Sequence, residues 1–139
     1  MNIKRIIHIG ITAEKMEPVK KFYSETLGLP ISREELYDKS TDICFLPVGD
    51  SFIEIFSDNC ETGNGTVAEY IKQRGGEGIH HIAFEVEDIY AAIDELKAKG
   101  IPIRDGDPRP GADGKVIAFL QPQNTFDTLI ELVGDIAKK

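Results

Sequence analysis

Cysteine is scarce in this chain: Cys44 and Cys60 are the only two among 139 residues. Two thiols without zinc-finger spacing cannot form a disulfide framework, and they read as reduced thiols of a cytoplasmic protein. No apolar run approaches the roughly 18 residues of a membrane span. The start, Met1 to Ile7, has no long apolar region or small-residue cleavage site, so it reads as a first strand rather than a signal peptide. Positive charge is also in short supply. Sixteen Lys and Arg face twenty-four Asp and Glu, a net charge of −8. A nucleic-acid partner is excluded on that balance, because phosphate binding needs a basic face. An anionic small molecule is not excluded, since a metal or a few local cations can outweigh the overall field. Low-complexity and coiled-coil segments are absent.

What is present is a repeat. The first half runs His8-Ile9-Gly10-Ile11-Thr12, a helix, Cys44-Phe45-Leu46-Pro47, then Phe52-Ile53-Glu54-Ile55-Phe56. The second runs His81-Ile82-Ala83-Phe84-Glu85, a helix, Ala118-Phe119-Leu120-Gln121, then Leu129-Ile130-Glu131-Leu132-Val133. The histidines lie 73 residues apart and the glutamates 77. Two copies of strand–helix–strand–strand–strand cover nearly the whole chain. The expected class is therefore α+β: tandem βαβββ modules, 1–75 with a linker helix and 76–139, whose curved sheets enclose a metal-binding cleft.

Local signals support the elements. Val19, Phe22, Tyr23 and Leu27 fall at helical spacing between Pro18 and Gly28. Ile89, Ala92, Ile93 and Leu96 repeat that pattern, with Asp88 as N-cap and Gly100 and Pro102 as the stop. Gly49-Asp50 and Asp113-Gly114 read as hairpin turns. Thr66 with Glu69 fits a capping box that opens the linker helix.

Glu54 and Glu131 are the unusual residues, because each lies mid-strand among Ile, Leu, Phe and Val. Burying an ionised carboxylate costs several kcal/mol unless something compensates. A divalent cation would compensate. His8 and His81 open corresponding strands in the same apolar setting. Two imidazoles and two carboxylates at matching points of a repeat suit a borderline divalent metal. The predicted ligands are His8, Glu54, His81 and Glu131. His80 competes with His81, but alignment of the two strands favours His81.

Several segments resemble one family. Phe22-Tyr23-Ser24-Glu25-Thr26-Leu27-Gly28-Leu29, Phe45 to Asp50, Gly78 to Val86, Asp107 to Ala112 and Leu129 to Leu132 resemble the vicinal oxygen chelate superfamily (glyoxalase/bleomycin resistance/dioxygenase), and within it the methylmalonyl-CoA epimerases. The resemblance implies a cytoplasmic, usually dimeric enzyme carrying cobalt, manganese, zinc or nickel on the four residues named above. It implies epimerisation of methylmalonyl-CoA, or a close acyl-CoA, by α-proton abstraction through a metal-stabilised enolate. Glu131 would be ligand and base. The second base of some members falls on Ile43 in an ungapped alignment, and a one-residue shift makes it Asp42.

The chain also departs from that family. Gln121-Pro122-Gln123 stands where His-Pro-Lys is usual, Phe126-Asp127 replaces small glycines, and Asp113 replaces a histidine. Two alternatives stay open: a glyoxalase I-type lactoylglutathione lyase or related metal-dependent isomerase, and a metal-free small-molecule binding or resistance protein.

Overall fold

The computed structural model describes residues 1–104 and 108–136; Asp107 of the Asp107–Ala112 motif lies outside them. The chain divides into two compact units, Ile9–His80 and the combination of Met1–His8 with His81–Lys139. Strands β1 (Ile3–Thr12) and β5 (Gly78–Val86) each run from one unit into the other.

In the Ile9–His80 unit, β1 leads to α1 (Met16–Lys21), which continues as a π-helical turn over Phe22–Thr26. Three antiparallel strands follow: β2 (Arg33–Tyr37), β3 (Thr41–Val48) and β4 (Ser51–Asp58). Gly49 and Asp50 join β3 to β4, with Val48 opposite Ser51 and Gly49 at φ +57°. That is the two-residue hairpin predicted, with glycine where the left-handed backbone favours it. Met16, Val19 and Tyr23 pack on Ala13, Cys44, Leu46 and Ile55, which form the core of this unit. Burial pushes the Cys44 thiol up to about 11, while Cys60 is exposed. Both are free thiols, as the spacing predicts.

Helix α2 (Thr66–Arg74) begins where expected, but not by the expected device. Gly65 is its N-cap, and the Asp58 carboxylate accepts from the Val67 and Ala68 amides at 3.2 and 2.9 Å. Thr66 instead donates its hydroxyl to Asn64. A carboxylate from the end of β4 thus replaces the capping box, because it reaches the open amides and also favours the positive helix end.

In the other unit β5 is followed by α3 (Ile89–Ala98), β6 (Arg109–Pro110), β7 (Val116–Phe119) and β8 (Ile130–Gly134). The strand order is β1-β5-β8-β7-β6, with β5 and β8 parallel and the β8–β7 and β7–β6 pairs antiparallel. Asp88 caps α3 by accepting from the Tyr90 and Ala91 amides, both at 3.1 Å. Ile89, Ala92 and Ile93 of α3 pack on Val86, Val116, Ala118 and Leu132, with Ile103 and Leu120 beside them. Each fully buried Ile or Leu contributes about 1.5–3 kcal/mol, so this face anchors the unit. The opposite face of the same strands is left for Ala83, Phe119, Glu131 and Val133 by alternation. The element order is thus βαβββ twice with α2 between, a mixed-sheet α+β fold. No helix among the described residues is long and apolar enough to cross a membrane.

Candidate metal centre

Register places Glu131. On β8 it sits opposite Ala83 of β5 on one side and Phe119 of β7 on the other. Neighbours on both edges leave it only 5% exposed. His81 lies two residues before Ala83, so it shares that face and comes diagonally to Glu131. His8 reaches the same point from β1, and it is buried as well. The two imidazoles meet edge to face, with ring centres 5.0 Å apart and planes at 83°.

The ligand atoms converge. His8 Nε2 is 2.8 Å from His81 Nε2 and 2.9 Å from Glu131 Oε1, and His81 Nε2 is 3.6 Å from that oxygen. Burial works to raise the pKa of the Glu131 carboxyl. Contacts with His8 first and His81 second outweigh it and hold the group at about 2. The carboxylate is therefore ionised at neutral pH.

This arrangement fits a cation. Oε1 is buried and completes no well-formed hydrogen bond. Three lone-pair atoms facing one point cannot all be satisfied by the one or two protons the imidazoles can bring. A divalent ion satisfies all three, and two His nitrogens with a carboxylate oxygen are a borderline-metal donor set. Among the described residues, His8, His81 and Glu131 are the group whose ligand atoms lie within 4.8 Å of one another.

The other predicted residues belong to the Ile9–His80 unit. Glu54 is half-buried on β4 opposite Phe45, in the Ile9–His80 unit. Asp42 is half-buried on β3 opposite Ser57, and accepts a hydrogen bond from Asn59 Nδ2 at 3.0 Å. Ile43, its neighbour, is buried. The His80 ring packs on Tyr70 at 4.3 Å and on Phe56 at 5.0 Å between ring centres.

Two of the departures have visible local structure. Phe126 is 96% exposed, and both it and Asp127 have left-handed backbone, at φ 54° and 64°. Hydrogen bonds from the Asp127 amide to Pro122 and from the Thr128 amide to Thr125 hold that turn. Asp113 is also left-handed, in the β6–β7 hairpin turn with Gly114.

Sequence reasoning passed over Phe119 as a site residue. Its ring centre lies 5.5 Å from that of His81, and two arginines lie over it: Cζ of Arg104 at 4.8 Å and of Arg109 at 5.9 Å from the ring centre. The available signal was the repeat itself. Phe119 stands opposite Glu131 as Phe45 stands opposite Glu54.

Known proteins resemble this chain over nearly its full length. An ethylmalonyl-CoA/methylmalonyl-CoA epimerase of Cereibacter sphaeroides is 33% identical, covering 94% of this chain and 97% of its own. A probable lactoylglutathione lyase of Vibrio cholerae is 32% identical, covering 96% and 92%. The structure of Streptomyces coelicolor methylmalonyl-CoA epimerase in complex with 2-nitronate-propionyl-CoA is similar with a TM-score of 0.84. It is 29% identical, covering 98% of this chain and all of that one. Residues 7–119 match the family model, a span that includes both histidines and the first of the two glutamates, so the chain belongs to the Glyoxalase/Bleomycin resistance protein/Dioxygenase superfamily.

Proposed function

We propose that this protein is a metal-dependent epimerase of methylmalonyl-CoA or a close acyl-CoA. The observation that carries the reading is the convergence of His8, His81 and Glu131 on one buried point. His8, His81 and Glu131 would hold the ion, with Glu54 as a fourth ligand, and its identity among cobalt, manganese, zinc and nickel is open. Bound there, a divalent cation would stabilise the negative charge that develops on the substrate's thioester and carboxylate oxygens as the α-proton leaves.

The chain's own groups would move the proton. Glu131 is ionised at neutral pH, so an acceptor is present without prior deprotonation. Its low pKa makes it a weak base, adequate only where the carbon acid is itself made more acidic. The apolar neighbours Ala83 and Phe119 keep the carboxylate out of bulk water. Epimerisation requires proton exchange on both faces of the α-carbon, and we assign the second exchange to Asp42. The module boundary at residues 75 and 76, a homodimeric state and a cytoplasmic setting belong to the same reading.

A second reading, a lactoylglutathione lyase, draws support from the Vibrio cholerae relative. It would use the same ligands, so substrate separates the two. The test is deuterium wash-in at the α-carbon of one methylmalonyl-CoA epimer in D2O, followed by NMR. Exchange above a protein-free control that disappears on metal stripping and in Glu131→Gln supports the epimerase. No exchange with any of the four ions overturns it, and conversion of methylglyoxal plus glutathione would then support the lyase.

A further inference from the structure

Three rings follow one another at the metal centre, each nearly perpendicular to the next. His8 meets His81 at 5.0 Å and 83°, and His81 meets Phe119 at 5.5 Å and 82°. Phe119 has no lone pair to give an ion, so it is not a ligand. Its place in the sheet nevertheless ties it to two of the three ligating residues. It stands opposite Glu131 in the β7–β8 register, and its ring meets that of His81 on β5. Strand β8 lies between β5 and β7. Neighbouring strands are about 5 Å apart, so the backbones of β5 and β7 are separated by roughly 10 Å. Ring centres only 5.5 Å apart mean that the two side chains lean toward each other over β8, the strand that carries Glu131.

The effect of such a neighbour follows from the torsion it restrains. The χ2 torsion of histidine is broad, so the imidazole's own preferences do not fix the plane of its ring. Packing does. His81 is buried, in edge-to-face contact with both His8 and Phe119. Phe119 is fixed in turn. It is 6% exposed, belongs to the cluster of Ala83, Ile117 and Val133, and accepts the Arg104 amide on its carbonyl at 2.7 Å. A ligand aimed in advance loses less freedom when an ion binds, and groups that orient ligands from behind contribute to affinity for that reason.

We infer that Phe119 is a positioning residue of the metal centre: its ring sets the plane of the His81 imidazole and so aims Nε2 at the point shared with His8 and Glu131. The inference rests on the metal-dependent reading of this site. Metal affinity then depends on a residue with no donor atom, two strands away from the ligand it orients.

The test titrates metal-stripped protein with Co2+ against a chromophoric chelator, and reads both the affinity and the visible spectrum of the bound ion. Phe119→Leu removes the ring but stays apolar, Phe119→Tyr keeps the ring, and Ile117→Val trims the same cluster two residues away. Thermal melting checks that each variant is folded, and Phe119→Met replaces the leucine variant if that one is not. Phe119→Leu should weaken cobalt binding roughly ten- to a hundredfold and alter the spectrum. Phe119→Tyr and Ile117→Val should both stay close to the wild type. Wild-type affinity and spectrum in the folded ring-less variant overturn the inference. An equal loss in Ile117→Val also overturns it, because the effect would then come from looser packing.

A second measurement needs no ion. The chain has three histidines, so the imidazole signals are readily assigned by NMR. In metal-stripped wild type, NOEs from the His81 ring to the Phe119 ring are expected with a single set of His81 signals, and their absence overturns the inference. If the wild type takes up none of cobalt, manganese, zinc and nickel, the metal reading fails on its own account. The positioning is then judged on the metal-free protein. A His81 ring that loses its NOEs to His8 in Phe119→Leu and regains them in Phe119→Tyr upholds it; NOEs unchanged by loss of the ring overturn it.

Discussion

Arg33, Phe45 and Glu54 in one unit repeat Arg104, Phe119 and Glu131 in the other. Each glutamate stands opposite its phenylalanine across an antiparallel pair, and each ring carries an arginine, at 4.5 Å and 4.8 Å. Yet Glu54 is half-buried, while Glu131 is 5% exposed. Strand position does not explain this, because β4 and β8 both have neighbours on two sides. Glu131 Oε1 has the His8 and His81 Nε2 atoms at 2.9 and 3.6 Å. A carboxylate can be taken fully out of water only where other groups offset its lost hydration, and the two imidazoles do so in part, which leaves Oε1 suited to a cation.

The strongest way to break that comparison is to remove the two carboxylates in turn. Glu131→Gln should lower the deuterium exchange rate by at least about 100-fold, the scale of a lost general base. Glu54→Gln, which keeps an oxygen donor, should keep the rate within about tenfold. The reverse order would place the principal carboxylate in the other unit. Next come the cores beneath each site. Leu132→Ala in one and Leu46→Ala in the other should each cost about 3 kcal/mol in urea unfolding. A much smaller loss at Leu46 would show that the Ile9–His80 core is the looser one.

The caps provide a smaller contrast. Asp88→Ala should destabilise by about 1 kcal/mol, since that side chain satisfies two amides of α3. Lys15, at the N-cap of α1, makes no side-chain cap bond, and Lys15→Ala should be within about 0.5 kcal/mol of neutral. The last difference is one of pH. The Glu131 carboxyl is held near 2 in the fold against an ordinary 4.5, so protonation favours the unfolded chain. Its contribution is complete above about pH 4.5 and lost as pH falls toward 2. Acid unfolding of metal-stripped wild type should carry that loss, and Glu131→Gln should not.

Much of this was readable in the residues. Ile-Glu-Ile and Ile-Glu-Leu in matching strands marked β4 and β8, and Asp88 marked the start of α3. His81 was preferred over His80 by alignment alone, and alternation along β5 sends the two rings to different surroundings. Other features left no trace in the pattern. Strand β2 reads Arg-Glu-Glu-Leu-Tyr, a mostly exposed segment paired on one side, with no apolar alternation to announce it. The π-helical turn after Lys21 had no local signal, and Tyr23 within it packs on the core. Asp58 capping α2 is a contact across nine residues, invisible to a search for a cap next to the helix. The arginines on Phe119 needed strand register, because Arg104 follows the Ile103–Leu120 bridge and Arg109 stands opposite Ile117.

The passage of β1 and β5 through both units has a consequence for how the protein is made. His8 leaves the ribosome 123 residues before Glu131, so no nascent fragment that stops short of β8 carries all three ligand atoms. Closing such long loops adds little to the equilibrium cost, which grows only with the logarithm of length, but contacts this distant in sequence form slowly. Capture of an ion by these three residues would therefore follow the synthesis of β8. Tight metal retention would serve as a readout that the chain has been synthesised through β8 and folded.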